Sequence, residues 1–143
     1  MEIEGRIFKN KGLWLAEVPS LDIMTQGESK DNILLMIKDA ILDLTRSYFK
    51  EEVSKDFDVN VNLYKKGIIG ITTTDNKLML ALSLRRQREI SGSTVREAAE
   101  RLGSKSPNAY AQYEKGKVRI SLDKYEQLLY AANPSRNRQL RIV

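Results

Sequence analysis

The sequence predicts an α+β protein in two parts. Residues 1–75 read as a domain of antiparallel sheet with one long helix, and residues 76–143 as an all-α domain. Alternating apolar runs flank Asn- and Gly-containing turns in the first half, with one long run of helical period between them. Short, capped helical segments crowd residues 84–116. Charge divides the same way: the net +5 of the 143 residues hides an N-terminal stretch, 1–76, with 10 basic and 13 acidic residues (net −3) and a remainder with 14 and 6 (net +8). A basic half joined to an acidic half points to two parts with different partners.

Ile3–Phe8 alternates and ends at Lys9-Asn10-Lys11-Gly12. Leu13–Val18 follows, with Trp14 and Ala16 on one face and Leu15 and Glu17 on the other, so the two runs read as a β-hairpin. Trp14 reads as core. Pro19 ends the second strand because it has no N–H for a ladder. A short strand is expected near Met24–Gln26. Ser29 then caps a helix to about Phe49, with Ile33, Met36, Ile37, Ala40, Ile41, Leu44 and Tyr48 as its apolar face on the sheet. Phe57, Val59, Val61 and Leu63 alternate in the next strand. Lys65-Lys66-Gly67 turns the chain, and the β-branched run Ile68–Thr73 is another strand.

Asn76–Arg88 is expected as the first helix of the second part, with Leu78, Leu80, Ala81 and Leu84 inward. Ser91-Gly92-Ser93 is a loop. Thr94 opens a second helix, and Glu97 completes a capping box. Val95, Ala98, Ala99 and Leu102 face inward, and Gly103 stops the helix. Ser106-Pro107 starts a third helix, because serine caps and proline suits the first helical position. Tyr110 and Tyr113 point inward, while Asn108, Ala109, Gln112 and Lys115 point outward. Gly116 ends it. Leu122, Tyr125, Leu128, Leu129 and Ala132 mark a closing helix, terminated at Asn133-Pro134. Two helices around a glycine turn, the second opening on a cap, form the layout that inserts a helix into the major groove of DNA. Asn and Gln can bond adenine bidentately, and Lys can reach guanine or phosphate. The basic tail with Leu140 and Ile142 reads either as an unpaired arm or as a short strand within a dimer.

The chain has no cysteine and no histidine. That removes disulfides, thiolate nucleophiles and the usual ligands or bases of zinc, haem and Ser-His chemistry. No metal site and no cofactor are expected. No apolar run approaches the roughly 20 residues of a membrane span, and MEIEGRIF lacks an apolar signal core, so a cytoplasmic location is expected. Metal-dependent phosphodiester cleavage needs several convergent carboxylates. Glu2, Glu4, Glu17, Asp39 and Asp43 are the candidates. Nothing in their spacing makes them converge, so no catalytic residue and no enzyme activity are expected.

The glycine-turned hairpin, the Glu17-x-Pro19 step, Thr25-Gln26-Gly27-Glu28-Ser29 before the helix, and a helix with late alanine (Lys38-Asp39-Ala40-Ile41) occur in order. This set resembles the N-terminal domain of HicB antitoxins. Pro19-Ser20-Leu21-Asp22-Ile23 replaces the family's Pro-Asp-Leu-Pro-Gly-like turn, and Asp31 stands alone where an acidic pair is usual. The resemblance implies a partial ribonuclease-H-like fold that binds and occludes a HicA-type toxin, a small basic ribonuclease. An acidic domain suits such a partner.

Ala98-Ala99-x-x-Leu102-Gly103, Tyr113-Glu114-Lys115-Gly116-Lys117 and the helix led by Leu122 resemble the XRE/Cro-type helix-turn-helix family. The turn after Gly103 is one residue longer than the commonest pattern and is similar to that of helix-turn-helix HicB proteins. The resemblance implies that Asn108 and Gln112 read bases, with Ser106, Pro107 and Ala109 beside them. Lys105, Lys115, Lys117 and Arg119 would hold phosphates, and Glu114 would pair with Arg88. It further implies repression of the chain's own operon at operator double-stranded DNA, by a homodimer or higher homo-oligomer on a palindrome. Two rivals are a stand-alone XRE-family repressor whose N-terminal domain senses a ligand or oligomerises, and a ribonuclease-H-like nuclease.

Overall fold

The first strand, β1 (Ile3–Asn10), turns through Lys11 and Gly12 into β2 (Leu13–Val18). Both turn residues have positive φ, +51° and +82°. Such a turn twists in the same sense as the strands it joins, and glycine takes its position at no steric cost. Pro19 closes β2 and opens one 3-10 turn to Leu21, from which β3 (Ile23–Gly27) departs. β3 exceeds the expected Met24–Gln26 by one residue at each end. Helix α1 (Lys30–Tyr48) begins at the expected cap, where Ser29 Oγ accepts the Asn32 N–H at 3.0 Å. Strands β4 (Val59–Leu63) and β5 (Ile68–Thr73) complete the sheet. The computed structural model describes residues 1–135, so the tail with Leu140 and Ile142 lies outside the described residues.

The sheet order is β3-β2-β1-β5-β4, and every neighbouring pair is antiparallel. Strand side chains alternate between faces. Ile3, Ile7, Ala16, Val18, Ile23, Val59, Ile69 and Ile71 are buried on one face, and Ile33, Ile37 and Ile41 of α1 are fully buried. α1 packs on β2, β3 and β4. The buried row runs on to Thr45, whose hydroxyl donates to the Ile41 carbonyl at 2.7 Å. Met36 is a correction: at 39% exposed it lies outside that row. The row follows strict four-residue steps from Ile33, and Met36 sits about 100° around the helix from Ile37. Leu63 is also exposed, because it ends an edge strand.

The described residues form two compact units, Met1–Asn76 and the residues from Lys77 on. Helix α2 (Asn76–Ser91) runs three residues beyond the expected Arg88. Helices α3 (Val95–Arg101), α4 (Pro107–Ala111) and α5 (Leu122–Ala132) follow. In the second unit Leu84, Ala98, Ala99, Tyr110, Tyr125, Leu128, Ala131 and Ala132 form one buried cluster. Two alanines at α3 and two at α5 allow close helix approach around it. Leu122 is a second correction: it is 54% exposed, because it is the first residue of α5 and lies beyond the cluster. Among the described residues no helix is long and apolar enough to cross a membrane.

Candidate nucleic-acid interface

The local sequence of the second unit fixes each turn of the motif. Thr94 Oγ1 accepts the Glu97 N–H at 3.1 Å, and Glu97 Oε1 accepts the Thr94 N–H at 3.2 Å. These bonds satisfy two donors at the start of α3. The same bond from the Thr94 backbone holds the Glu97 carboxyl below its ordinary value. At the far end Gly103 has φ +83°, and the Ser104 N–H reaches the Ala99 carbonyl at 3.0 Å. That closes the helix and turns the chain toward α4. Ser106 Oγ then accepts the Asn108 N–H at 3.2 Å, with Pro107 in the first turn.

The third helix differs from the expected single element. After Ala111 the chain tightens into a 3-10 turn, Gln112–Lys115, and stops at left-handed Gly116. A buried ion pair anchors that turn. Arg88 Nε donates to Glu114 Oε2 at 2.7 Å and its Nη2 to Oε1 at 2.9 Å, while its Nη1 donates to the Ser93 carbonyl at 3.1 Å. The side chains are 15% and 8% exposed. The pair expected between these residues is therefore present and bidentate, the geometry in which a guanidinium and a carboxylate fit best. It raises the Arg88 guanidinium further above its already high value.

Buried phenols carry the inner side. Tyr110 is fully buried, and Tyr113 packs half-buried on the cluster. Burial raises the Tyr110 phenol well above its ordinary range, and the Glu114 carboxylate adds to the effect. Burial also pushes the Tyr125 phenol up to about 12, partly opposed by its hydrogen bond with Ser83 at 2.5 Å. Arg101 Nη1 donates to Ser93 Oγ at 2.8 Å and to the Ala131 carbonyl at 2.9 Å. Ser91 Oγ donates to the Ala132 carbonyl at 2.8 Å, and Asn133 Nδ2 to Gln87 Oε1 at 3.2 Å. The sequence reading did not find Ser83, Gln87 or Arg101. Their only signal is polar type at inward-facing helical positions.

With the inner side fixed, the outer side is defined. Asn108, Ala109, Gln112 and Lys115 are exposed on α4 and its 3-10 extension. Lys105, Ser106, Lys117 and Arg119 are exposed on the turns that flank it, and Pro107 is half-buried. Asn108 and Gln112 are four residues apart and share a face. Arg96, exposed in the first turn of α3, is a further cation that the sequence reading missed. In this motif the helix before the reading helix crosses the phosphate backbone. A basic residue just inside its capping box was the available signal.

The carboxylates of the first unit lie differently. Glu4 and Glu17 belong to the sheet face turned away from α1, as the buried alternate residues Ile3, Gly5, Ala16 and Val18 require. Asp39 and Asp43 are exposed on α1, on the other side of the sheet. Glu2 accepts hydrogen bonds from Asn62 Nδ2 at 3.1 Å and from the Tyr64 hydroxyl at 2.8 Å. That bond holds the Tyr64 phenol above its ordinary value. Among the described residues no three acidic side chains gather where a metal ion would be held.

Residues 80–137 match a family described as a helix-turn-helix domain. The match begins within α2 and takes in α3, the glycine turn, α4 and α5. No curated protein matches the chain. The second unit therefore carries a helix-turn-helix domain, a fold suited to DNA binding and transcription regulation.

Proposed function

We propose that this chain is a HicB-type antitoxin acting in the cytoplasm. Its second unit binds operator DNA and represses the chain's own operon, and its first unit binds and occludes a HicA-type ribonuclease toxin. The observation that carries the DNA half is the outward row Asn108, Gln112 and Lys115, on an element clamped from behind by Arg88–Glu114. Rigid support matters because a base-reading side chain must be held close to its productive position. Asn108 and Gln112 read bases, with Ser106, Pro107 and Ala109 beside them. Lys105, Lys115, Lys117 and Arg119 hold phosphates. One motif spans few base pairs, so a two-fold homodimer on a palindrome is the working form.

The toxin half is supported by the acidic balance of the first unit and by the HicB-like order of hairpin, Ser29-capped helix and further strands. The β1–β2–β3 meander followed by α1 on one face, with a later strand added beside β1, supports a partial ribonuclease-H-like reading. Neutralisation is steric and electrostatic, and this chain performs no chemistry. Glu4→Ala and Asp43→Ala are expected to leave toxin and DNA binding near wild type. Stoichiometric Mg²⁺ binding abolished by these changes would overturn that expectation. The test of the whole reading is an RNA-cleavage assay of the neighbouring toxin with added full-length chain. Cleavage should stop near one equivalent, and undiminished cleavage would refute the antitoxin role.

A further inference from the structure

The sheet of the first unit ends at β4, and among the described residues no strand lies beyond it. Hydrogen bonds at its two ends fix which way its backbone points. The Tyr64 N–H donates to the Ile68 carbonyl at 2.8 Å, and the Thr74 N–H donates to the Asp58 carbonyl at 3.2 Å. In an antiparallel pair, alternate residues bond the neighbouring strand. The even-numbered residues of β4 therefore bond β5, and Val59, Val61 and Leu63 turn their N–H and C=O groups to the open edge. The Val59 N–H is taken by the Asp58 carboxylate. Natural edges are guarded by lysine, proline or a bulge. Val59-Asn60-Val61-Asn62-Leu63 holds no charge and no proline, and it pairs with β5 in unbroken register.

We infer that β4 is a dimerisation edge, on which a second copy of this chain pairs antiparallel about Val61 and joins the two sheets into one. This names the surface of the homodimer in the proposed function and rests on that dimer. The strand is complementary to itself. A two-fold axis at Val61 sets Val61 against Val61, Val59 against Leu63 and Asn60 against Asn62. The valines and Leu63 keep to the side of α1, the exposed amides to the other, and Leu63, 38% exposed, gains a neighbour. Val61 N–H bonds the Val61 carbonyl of the other copy, and Leu63 N–H its Val59 carbonyl, each twice by symmetry. Charge selects the same occupant. Glu51, Glu52, Asp56 and Asp58 precede the strand with Lys55, and Lys65 and Lys66 follow it. The two-fold sets the acidic approach of each copy beside the basic exit of the other, with exposed Asp56 toward exposed Lys66. Such opposite pairs stabilise a sheet. The other edge strand, β3, is bracketed by Asp22 and Glu28, which the same operation about Thr25 would set against each other.

The test uses the full chain, which has no cysteine of its own. Val61→Cys should form a disulfide dimer under mild oxidation, because the two positions face each other with Cα atoms about 5.5 Å apart. Asn60→Cys should not, because it faces Asn62 and stands beyond the roughly 7 Å limit from its own copy. By light scattering, Lys66→Glu should raise the dimer dissociation constant about tenfold, and Asp56→Lys/Lys66→Glu should return it to within about threefold of wild type. A change that merely damaged the fold would not be rescued. A wild-type dimer that Val61→Cys does not cross-link, and whose charge variants leave its dissociation constant unmoved, would overturn this edge and leave the homodimer standing. A wild-type chain that stays monomeric by light scattering would remove the homodimer and the edge together. Loss of toxin binding in Lys66→Glu with the dimer intact would make the edge the toxin's seat, which also overturns it.

Discussion

In the first unit the core is aliphatic and its contacts are remote in sequence: Ile3 meets Ile71 across the sheet, and Ile33, Ile37 and Ile41 lie against strands on both sides of the helix in the chain. In the second unit the core is small and polar-edged. Four alanines and two buried phenols fill it, and a guanidinium–carboxylate pair, two serines and an amide pair tie its helix ends. The difference follows from what each part must present. The sheet and the 19-residue α1 are long elements that support one another by apolar burial. A short element of five helical residues and one 3-10 turn cannot stabilise itself, so polar bonds from α2 hold it in place.

Arg88→Ala should have the largest effect. It leaves the Glu114 carboxylate buried without its partner, at a cost of about 3–5 kcal/mol. Helical circular dichroism should drop, while amide protons of Ile69 and Ile71 stay protected from exchange. Ile37→Ala should act on the other unit, costing about 2–5 kcal/mol through a cavity under the sheet. The first unit should then melt earlier while duplex binding persists at low temperature. One shared transition that shifts as a whole would break the comparison.

Those two residues also show what was legible in the sequence. Caps and stops were readable because they are local: Ser29, the Thr94–Glu97 box, Ser106-Pro107 and Gly103 each act within one turn. Ile37 was readable from periodicity, and Glu114 with Arg88 from the family resemblance alone. The sheet order was not readable, because insertion of β5 between β1 and β4 is set by remote pairing. Met36 and Leu122 were misread for a common reason. Periodicity identifies an apolar side of a helix but not where the opposing core begins and ends. The tightening at Gln112 was invisible, because no proline, glycine or side-chain cap marks where it begins.

Alkaline pH should separate the units again. The Tyr125 phenol ionises near 10 when unfolded and near about 12 when buried, and Tyr110 is raised in the same direction. The folded state favours the neutral phenol. Its stability is therefore complete below pH 10 and falls as pH rises through 12, by about 1.4 kcal/mol per pH unit for each phenol. The second unit should unfold across that window with a rise in tyrosinate absorbance, before the sheet unit does. Simultaneous loss of both would contradict the contrast drawn between the cores. A smaller effect is expected beside the exposed row of α4. Lys117→Ala should weaken all duplexes alike and lower the slope of log affinity against log salt by about one.

The central claim is that the exposed row on α4 and its extension reads base sequence. Fluorescence anisotropy of full-length wild type and Gln112→Ala, on a duplex from upstream of the chain's own gene and on a random duplex, tests it most directly. The account predicts a loss of about 1–3 kcal/mol on the upstream duplex and no change on the random one. Equal weakening on both duplexes would contradict it.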